Sequence, residues 1–226
     1  MSTIELKQVS KQFYDGDTVI QSLKPTDFSA DNGEFIAVIG PSGSGKSTFL
    51  TIVGGLQTPT EGEVIINGTS FQSLSEKKRS KLRFENIGFI LQSSNLVPFL
   101  TIYDQFVLMD KVAKKKTDPK QLEELLTQLE IAHLQKKYPE EISGGERQRV
   151  AIAKALYHNP SVILADEPTA SLDSKRAFEV ANLLAKETHE KNKTTIMVTH
   201  DTRLIDLCDK VYMMKDGVLT LQEKEA

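Results

Sequence analysis

The stretch Gly40-Pro-Ser-Gly-Ser-Gly-Lys-Ser47 decides the fold, because an apolar run at Glu34–Ile39 leads into it and a helical pattern at Lys46–Val53 leaves it. Between a strand and a helix, such glycines let backbone N–H groups close around phosphate oxygens. Lys46 would then reach the β- and γ-phosphates of a nucleotide, and the hydroxyl of Ser47 would take a Mg²⁺ position. A flexible Gly/Ser linker, the alternative, explains neither flanking pattern. The stretch therefore predicts a nucleotide phosphate site in an α/β fold.

Two carboxylates follow a second apolar strand, as such a site requires. The run Val162–Ala165 leads directly into Asp166, and Glu167 comes next. Ligands of open α/β sheets bind outside the carboxyl ends of the strands. We therefore expect Asp166 to act on Mg²⁺ through water and Glu167 to polarise the water that attacks the γ-phosphate. The alternative is an acidic turn at a strand end with no chemistry.

His200 and Gln92 are predicted to reach the same edge of the sheet. His200 follows the apolar strand Thr195–Val198, and Gln92 follows the strand Ile87–Leu91. Taken alone, a histidine in a strand-end loop is more often structural. Beside the two motifs above, we expect its imidazole to touch the γ-phosphate and the carbonyl of Gln92 to ligate Mg²⁺.

A second anion-binding pattern lies far along the chain. Ser143-Gly144-Gly145 runs straight into a helical pattern, so backbone N–H groups and the positive end of the helix dipole point at one spot. The same residues also read as an ordinary helix cap, and the two interpretations are compatible. Ser143 is 97 residues from Lys46 and a helical segment lies between them. If that segment projects from the core, Ser143 cannot close over its own nucleotide.

The composition is that of one soluble globular unit of 226 residues, with 26% charged residues and a net charge of −3. The charge gives no reason to expect nucleic-acid binding. The single cysteine, Cys208, excludes an internal disulfide framework. No apolar stretch approaches the ~20 residues of a membrane span, and we expect no leader sequence.

The pattern of elements predicts a parallel α/β core with an insertion. Strands alternate with helices after residue 34. Two predicted helices, Thr101–Lys114 and Pro119–Glu130, follow each other without a strand between them. Asp118 reads as the N-cap of the second one. We therefore expect a helical subdomain at about 92–145, inserted into a core made of 1–91 and 146–226.

The chain resembles an ABC transporter ATP-binding subunit over nearly all of residues 1–220, because six motifs occur in the order that the family shows. The resemblance implies a single domain, 1–226. Its fold would be a P-loop NTPase core with an N-terminal antiparallel β subdomain and an inserted α-helical subdomain. The motifs would be Walker A at Gly40–Thr48, the Q-loop at Gln92, the signature at Ser143–Glu146, Walker B ending at Asp166, the D-loop at Ser171–Asp173 and the H-loop at His200.

The resemblance also implies a set of site residues, with ATP and Mg²⁺ as ligands. The catalytic residues would be Glu167, His200 and Lys46, and the metal ligands Ser47, Gln92 and Asp166. The nucleotide would be bound by Phe13, Tyr14, Gly40, Ser42, Gly43, Ser44, Gly45, Lys46, Ser47, Thr48, Gln92, Ser143, Gly144, Gly145, Glu146 and Asp173.

Two positions depart from the commonest family pattern. The signature reads Ile-Ser-Gly-Gly-Glu where Leu-Ser-Gly-Gly-Gln is usual, and a glutamate there recurs in the subfamily that works with MacB-type and FtsX-like permeases. The aromatic residue that stacks on adenine is usually tyrosine. Here Phe13 aligns best and Tyr14 lies next to it, and either ring offers a face for stacking.

The partners implied by the resemblance are a second copy of the chain and a membrane permease. In the family, two subunits associate head to tail with ATP between the Walker A of one and the signature of the other. An FtsX-like or MacB-type permease would dock near Gln92–Leu100 and hold the protein at the cytoplasmic face of the membrane. The apolar residues there either contact the permease or pack the subdomain; they are Leu96, Val97, Phe99 and Leu100.

Several motifs look like the haem-export branch of that subfamily, which also includes antimicrobial-peptide exporters, macrolide exporters and the lipoprotein-release ATPase. The leading hypothesis is thus an ATPase that drives efflux of haem, an antimicrobial peptide or a drug. The alternative is a non-transporting ATPase that regulates a cell-envelope process through its permease. A DNA-repair or ribosome-associated ABC protein is disfavoured, since the sequence has no second cassette, zinc-binding cysteine set or basic stripe.

Overall fold

The computed structural model describes residues 2–223, which form two β-sheets and six α-helices. The strands are Ser2–Asp15 (β1), Thr18–Asp31 (β2), Phe35–Ile39 (β3), Glu61–Ile66 (β4), Thr69–Ser70 (β5), Ile87–Ile90 (β6), Val162–Asp166 (β7), Thr194–Val198 (β8), Lys210–Lys215 (β9) and Val218–Gln222 (β10). The helices are Lys46–Val53 (α1), Glu76–Asn86 (α2), Ile102–Ala113 (α3), Pro119–Gln128 (α4), Gly144–Tyr157 (α5) and Ser174–Glu190 (α6).

The central sheet has the order β10-β9-β3-β8-β7-β6. All neighbouring strands in it are parallel except β10, which runs antiparallel to β9. A parallel sheet is covered on both faces, and the alternation along β3 shows how. Phe35 and Ala37 face the core that includes α3 to α6, whereas Ile36 and Val38 face the core that includes α1 and the N-terminal sheet. The predicted parallel α/β core is confirmed.

The N-terminal sheet is antiparallel and has the order β2-β1-β4-β5. Its first strand is 14 residues long, because the pairing with β2 continues to Asp15 at the hairpin turn. The strand bends near Gln8, which has a φ of 48°, and Gly62 of β4 lies against this bend. A Cβ at Gly62 would be 2.3 Å from the Gln8 carbonyl oxygen, so glycine is required there.

The helices bury apolar stripes, and α2 is the exception. Phe106 of α3 and Leu122 of α4 are fully buried in one core with residues of α5. The sequence does not predict α2, because this helix buries none of its residues and so shows no apolar period. A hydrogen bond from Arg83 to the Gly55 carbonyl holds α2 to the loop after α1, at 2.8 Å. Within residues 2–223, no helix has the length and apolar character that crossing a bilayer requires.

A buried ion pair stabilises the junction between α6 and β8. The strand β8 leads to the predicted site. The Lys193 Nζ, on a residue only 3% exposed, lies 2.6 Å from Oε2 of Glu187, and Lys191 bonds the other oxygen at 2.5 Å. Burial acts to raise the pKa of the Glu187 carboxyl, but the two lysines outweigh burial and leave that pKa below its ordinary value. Both members of the pair therefore depend on the contact for their charge.

Lys193→Met should lower the free energy of unfolding by about 3 kcal/mol, since it leaves a buried carboxylate with one exposed partner. Chemical denaturation measures this loss. The matched control is Lys175→Met, because Lys175 is exposed and 3.8 Å from Glu179. That change should cost at most about 0.5 kcal/mol. Equal effects of the two substitutions would show that the buried pair contributes no more than a surface pair.

Candidate active site

The loop between β3 and α1 forms a cradle, and two of its positions can be occupied only by glycine. A Cβ at Gly40, where φ is +147°, would lie 2.1 Å from the Met214 carbonyl oxygen. A Cβ at Gly45, where φ is +106°, would lie 2.3 Å from the Ser22 carbonyl oxygen. Gly45 also caps α1 without a side chain, so the first N–H groups of this helix remain available to an anion. We call Gly40–Thr48 the phosphate loop.

The polar side chains of the phosphate loop fit a phosphate group. Nζ of Lys46 donates to the carbonyl oxygens of both Gly40 and Pro41, each at 2.8 Å, and no carboxylate within residues 2–223 pairs with it. Ser44 is 5% exposed and its buried Oγ makes no hydrogen bond within residues 2–223. Thr48 instead pairs with the hydroxyl of Ser22 at 2.9 Å, which ties the loop to β2. A cation bound only to carbonyl oxygens within the described chain and a buried hydroxyl without a partner there are both suited to an incoming phosphate.

The sheet register brings the predicted catalytic residues to the phosphate loop. Val38 pairs with Val198, and Val198 pairs with Asp166, so β3, β8 and β7 end in one row. Ile90 of the edge strand β6 pairs with the residue before Asp166, which puts Gln92 just past the same row. Asp166 is 8% exposed. The structure thus places these residues at one edge, as the sequence predicts.

Glu167 and His200 are in contact, which the sequence analysis did not foresee. Glu167 has a φ of 51°, and its N–H bonds the Val198 carbonyl at 3.0 Å. This left-handed backbone aims the carboxylate back over the end of β8, at a cost of roughly 1–3 kcal/mol. Nδ1 of His200 then lies 2.8 Å from Oε2 of Glu167. The contact is not aligned as a hydrogen bond, and Oε2 has no other donor within the described chain.

The segment after Gln92 forms a turn held by a residue that the sequence analysis missed. Gln105 is 1% exposed, and its Nε2 donates to the Val97 carbonyl at 2.8 Å while its Oε1 accepts from the Val97 N–H at 3.1 Å. Leu96 packs against the core, whereas Phe99 is 77% exposed at the tip of the turn. Leu96 therefore packs the subdomain, and contact with a permease stays a prediction for the exposed Phe99.

The two candidates for adenine stacking point to opposite faces of the first hairpin. Phe13 pairs with Ile20 and Tyr14 pairs with Val19 across β1 and β2. Paired residues share a face, and successive residues alternate. Tyr14 is the more exposed of the two, and Nζ of Lys11 lies 5.3 Å from the centre of the Phe13 ring. Either ring remains a prediction for the stacking role.

The residues Ser143–Glu146, here called the signature turn, form a separate site at the start of α5. They line a cavity of about 260 Å³ to which the phosphate loop contributes no residue among those described. Gly145 packs against the D-loop, since a Cβ on it would lie 3.3 Å from Leu172. Asp173 caps α6 by accepting from the N–H of Arg176 at 3.0 Å. The lining residues are Ser143, Gly145, Glu146, Arg149, Ser171, Leu172, Asp173 and Arg176.

The comparison with family models agrees with this arrangement. Residues 23–170, which run from β2 through the phosphate loop and the signature turn to just past Glu167, match the model described as ABC transporter. The chain belongs to the ABC transporter family. The predicted ATP-binding and ATP-hydrolysing subunit is confirmed at the level of the family.

Known proteins are similar to this ABC protein over nearly its whole length. The putative hemin import ATP-binding protein HrtA of Staphylococcus haemolyticus is 44% identical over 96% of this chain and 99% of its own. The uncharacterised ABC transporter ATP-binding protein MJ0796 of Methanocaldococcus jannaschii is 40% identical over 98% of this chain and 97% of its own.

Solved structures confirm the predicted fold class. A dimeric structure of the ATP-binding cassette MJ0796, in a post-hydrolysis state bound to ADP and Pi, superposes with a TM-score of 0.93. A second dimeric structure of the same cassette gives the same score. In each case the identity is 37% and the match covers 99% of both chains.

The separation of the two anion sites gives a test on the lone subunit. Ser143→Arg should leave nucleotide affinity nearly unchanged, because no described residue of the phosphate loop lines the cavity at Ser143. Lys46→Ala should weaken binding by about 10- to 100-fold, since it removes a charged partner of the phosphates. Titration with a fluorescent ATP analogue at low protein concentration measures both. Loss of affinity in the Ser143 variant would mean that the two loops belong to one site.

Proposed function

We propose that this ATPase works as a head-to-tail homodimer in which each ATP lies between the phosphate loop of one copy and the signature turn of the other. The observation that carries the proposal is the split of the anion donors. The phosphate loop and the signature turn both leave N–H groups for an anion, yet they line different places on a single chain. The dimeric structures solved for MJ0796 support association of two copies.

Within such a site, the described side chains have distinct tasks. Lys46 would hold the β- and γ-phosphates, and the buried hydroxyl of Ser44 would donate to them. Ser47, Gln92 and Asp166 would hold Mg²⁺, which supplies positive charge to the phosphate oxygens. Glu167, whose backbone is in the left-handed region, would accept a proton from the attacking water. His200 would fix the orientation of the Glu167 carboxylate. Because the signature turn belongs to the other copy, the lone subunit should hydrolyse ATP poorly.

Glu167→Gln should keep ATP binding and trap a nucleotide-bound dimer, since the amide retains the shape of the side chain but cannot accept the proton. Turnover should fall by roughly 10²–10⁴-fold. Sedimentation with ATP and with ADP measures the dimer, and phosphate release measures turnover. Ser143→Arg in the same background should abolish the dimer. Glu179→Gln, an exposed change on α6, is the control. Wild-type turnover in the Glu167 variant would remove Glu167 from the mechanism.

We further propose that an FtsX-like or MacB-type permease docks on the turn Val97–Leu100 and holds the protein at the cytoplasmic face of the membrane. The helical subdomain at about 92–145, inserted between core segments 1–91 and 146–226, would carry this surface. The support is the exposed ring of Phe99 on a turn that Gln105 holds in one shape. A rigid aromatic anchor loses little conformational entropy when a partner covers it.

Phe99→Ala should leave the basal ATPase activity of the subunit unchanged and weaken binding to the permease by about 10- to 100-fold, since a large apolar anchor is lost. Co-purification with the membrane protein encoded beside the gene, followed by ATPase assays of the complex, measures both. Val112→Ala is the matched control, because Val112 is an exposed apolar residue on α3 of the same subdomain. Equal loss in both variants would argue against docking at the turn.

For the cargo, we propose export of hemin or of a similarly amphipathic compound. The resemblance to the haem-export branch and the full-length similarity to HrtA support hemin, although the name of that relative specifies import. The direction of transport is tested by measuring the hemin content of cells that lack the protein and its permease. Excess cellular hemin supports export, and hemin deficiency would mean import. Unchanged hemin together with an envelope defect would favour the regulatory alternative.

A further inference from the structure

The glutamate of the signature turn occupies the donors that the proposed dimer needs. Oε2 of Glu146 accepts hydrogen bonds from both the N–H and the hydroxyl of Ser143, each at 2.7 Å. The hydroxyl oxygen in turn accepts from the Glu146 N–H at 3.3 Å, which completes a capping box. A single carboxylate oxygen therefore accepts both of the hydrogen bonds that Ser143 can donate.

The carboxylate is held in its charged form. The hydrogen bonds from the side chain and backbone of Ser143 lower the pKa of Glu146, and Arg149 and His133 add to the effect. Nε2 of His133 lies 4.0 Å from Oε1 of Glu146, on the other side of the carboxylate. A full negative charge thus sits at the positive end of the α5 dipole, where it stabilises the helix.

Other donors around the signature turn nevertheless remain available to a second anion. The N–H groups of Gly144 and Gly145 lie in the first turn of α5 and bond no group within residues 2–223. A Cβ at Gly144 would come no closer to a neighbour than 3.8 Å, so that side is open. Arg149 is 8% exposed and lines the cavity, and its Nε makes no hydrogen bond within the described chain.

We propose that Glu146 is a built-in competitor of the partner's γ-phosphate, holding the hydroxyl and N–H of Ser143 until the phosphate takes over these donors. This inference rests on the proposed head-to-tail dimer. The incoming phosphate meets a resident negative charge on the same donors, and the two anions repel each other. The charge at position 146 therefore sets the ATP concentration at which two copies associate. A glutamine there would keep the shape of the cap without the repulsion.

The test uses the full chain in the Glu167→Gln background, where ATP-dependent dimerisation is first established by sedimentation. Absence of a dimer at that stage counts against the proposed function. With a dimer present, Glu146→Gln and Glu146→Ala should each lower the ATP concentration for half-maximal dimerisation by about tenfold. Alanine separates competition from a new contact, because glutamine can itself donate to a phosphate and alanine cannot. A gain with glutamine alone would overturn the proposal.

Two controls make the result specific to Ser143. Glu130→Gln removes the same charge from an exposed residue that lines the neighbouring cavity with Glu146, and it should leave the midpoint unchanged. In the Ser143→Ala background, replacement of Glu146 should shift the midpoint less than in the parent, because the contested hydroxyl is gone and only the contested N–H remains. An equal shift with Glu130→Gln, or no shift with either Glu146 variant, would overturn the proposal. Thermal unfolding and nucleotide affinity of the lone subunit, measured on each variant, confirm that the fold is intact.

Discussion

The parallel pairing of β3, β8 and β7 is the constraint on which the rest of the site depends. It aligns Val38, Val198 and Asp166 in one row, so three chain segments distant in sequence end at the same edge. All three strands are buried on both faces, which means that a slip in register would move large apolar side chains as well as the carboxylate. The position of the predicted catalytic groups is therefore stabilised by the hydrophobic core itself, and the loops beyond the strands need to span only short distances.

Most of the fold could be predicted from the sequence, because its patterns are local. The phosphate loop sits between an apolar run and a helical period, and Asp118 with its proline marks the start of α4. The helix α2 could not be found in this way, since it buries none of its residues and a hydrogen bond from Arg83 to the Gly55 carbonyl holds it to the loop after α1. Gln105 was missed for a related reason, because a buried glutamine that bonds a loop backbone leaves no periodic signal.

The candidate site, like the fold, could be predicted only where the sequence pattern is local. Asp166, Glu167 and His200 could be assigned to one edge, because strand ends follow apolar runs. The contact between Glu167 and His200 could not be predicted, since it arises from the left-handed backbone at Glu167 and the hydrogen bond from its N–H to Val198. Tertiary structure overrides the usual preference of a glutamate for φ below zero. An outlier of this kind, next to a phosphate cradle, supports an active role for the carboxylate rather than an acidic turn.

A divided site requires each half to be stable on its own. In the proposed dimer, the signature turn donates hydrogen bonds to the nucleotide of the other copy, and unsatisfied donors at a helix start destabilise a lone chain. Glu146 satisfies two of them, and Asp173 caps the neighbouring helix in the same cavity. The more completely these internal acceptors bind the donors, the less an external phosphate gains by replacing them. Stability of the single subunit and affinity of the dimer thus oppose each other at the same atoms. On the proposal for Glu146, a carboxylate in place of the usual amide shifts the balance towards the single subunit.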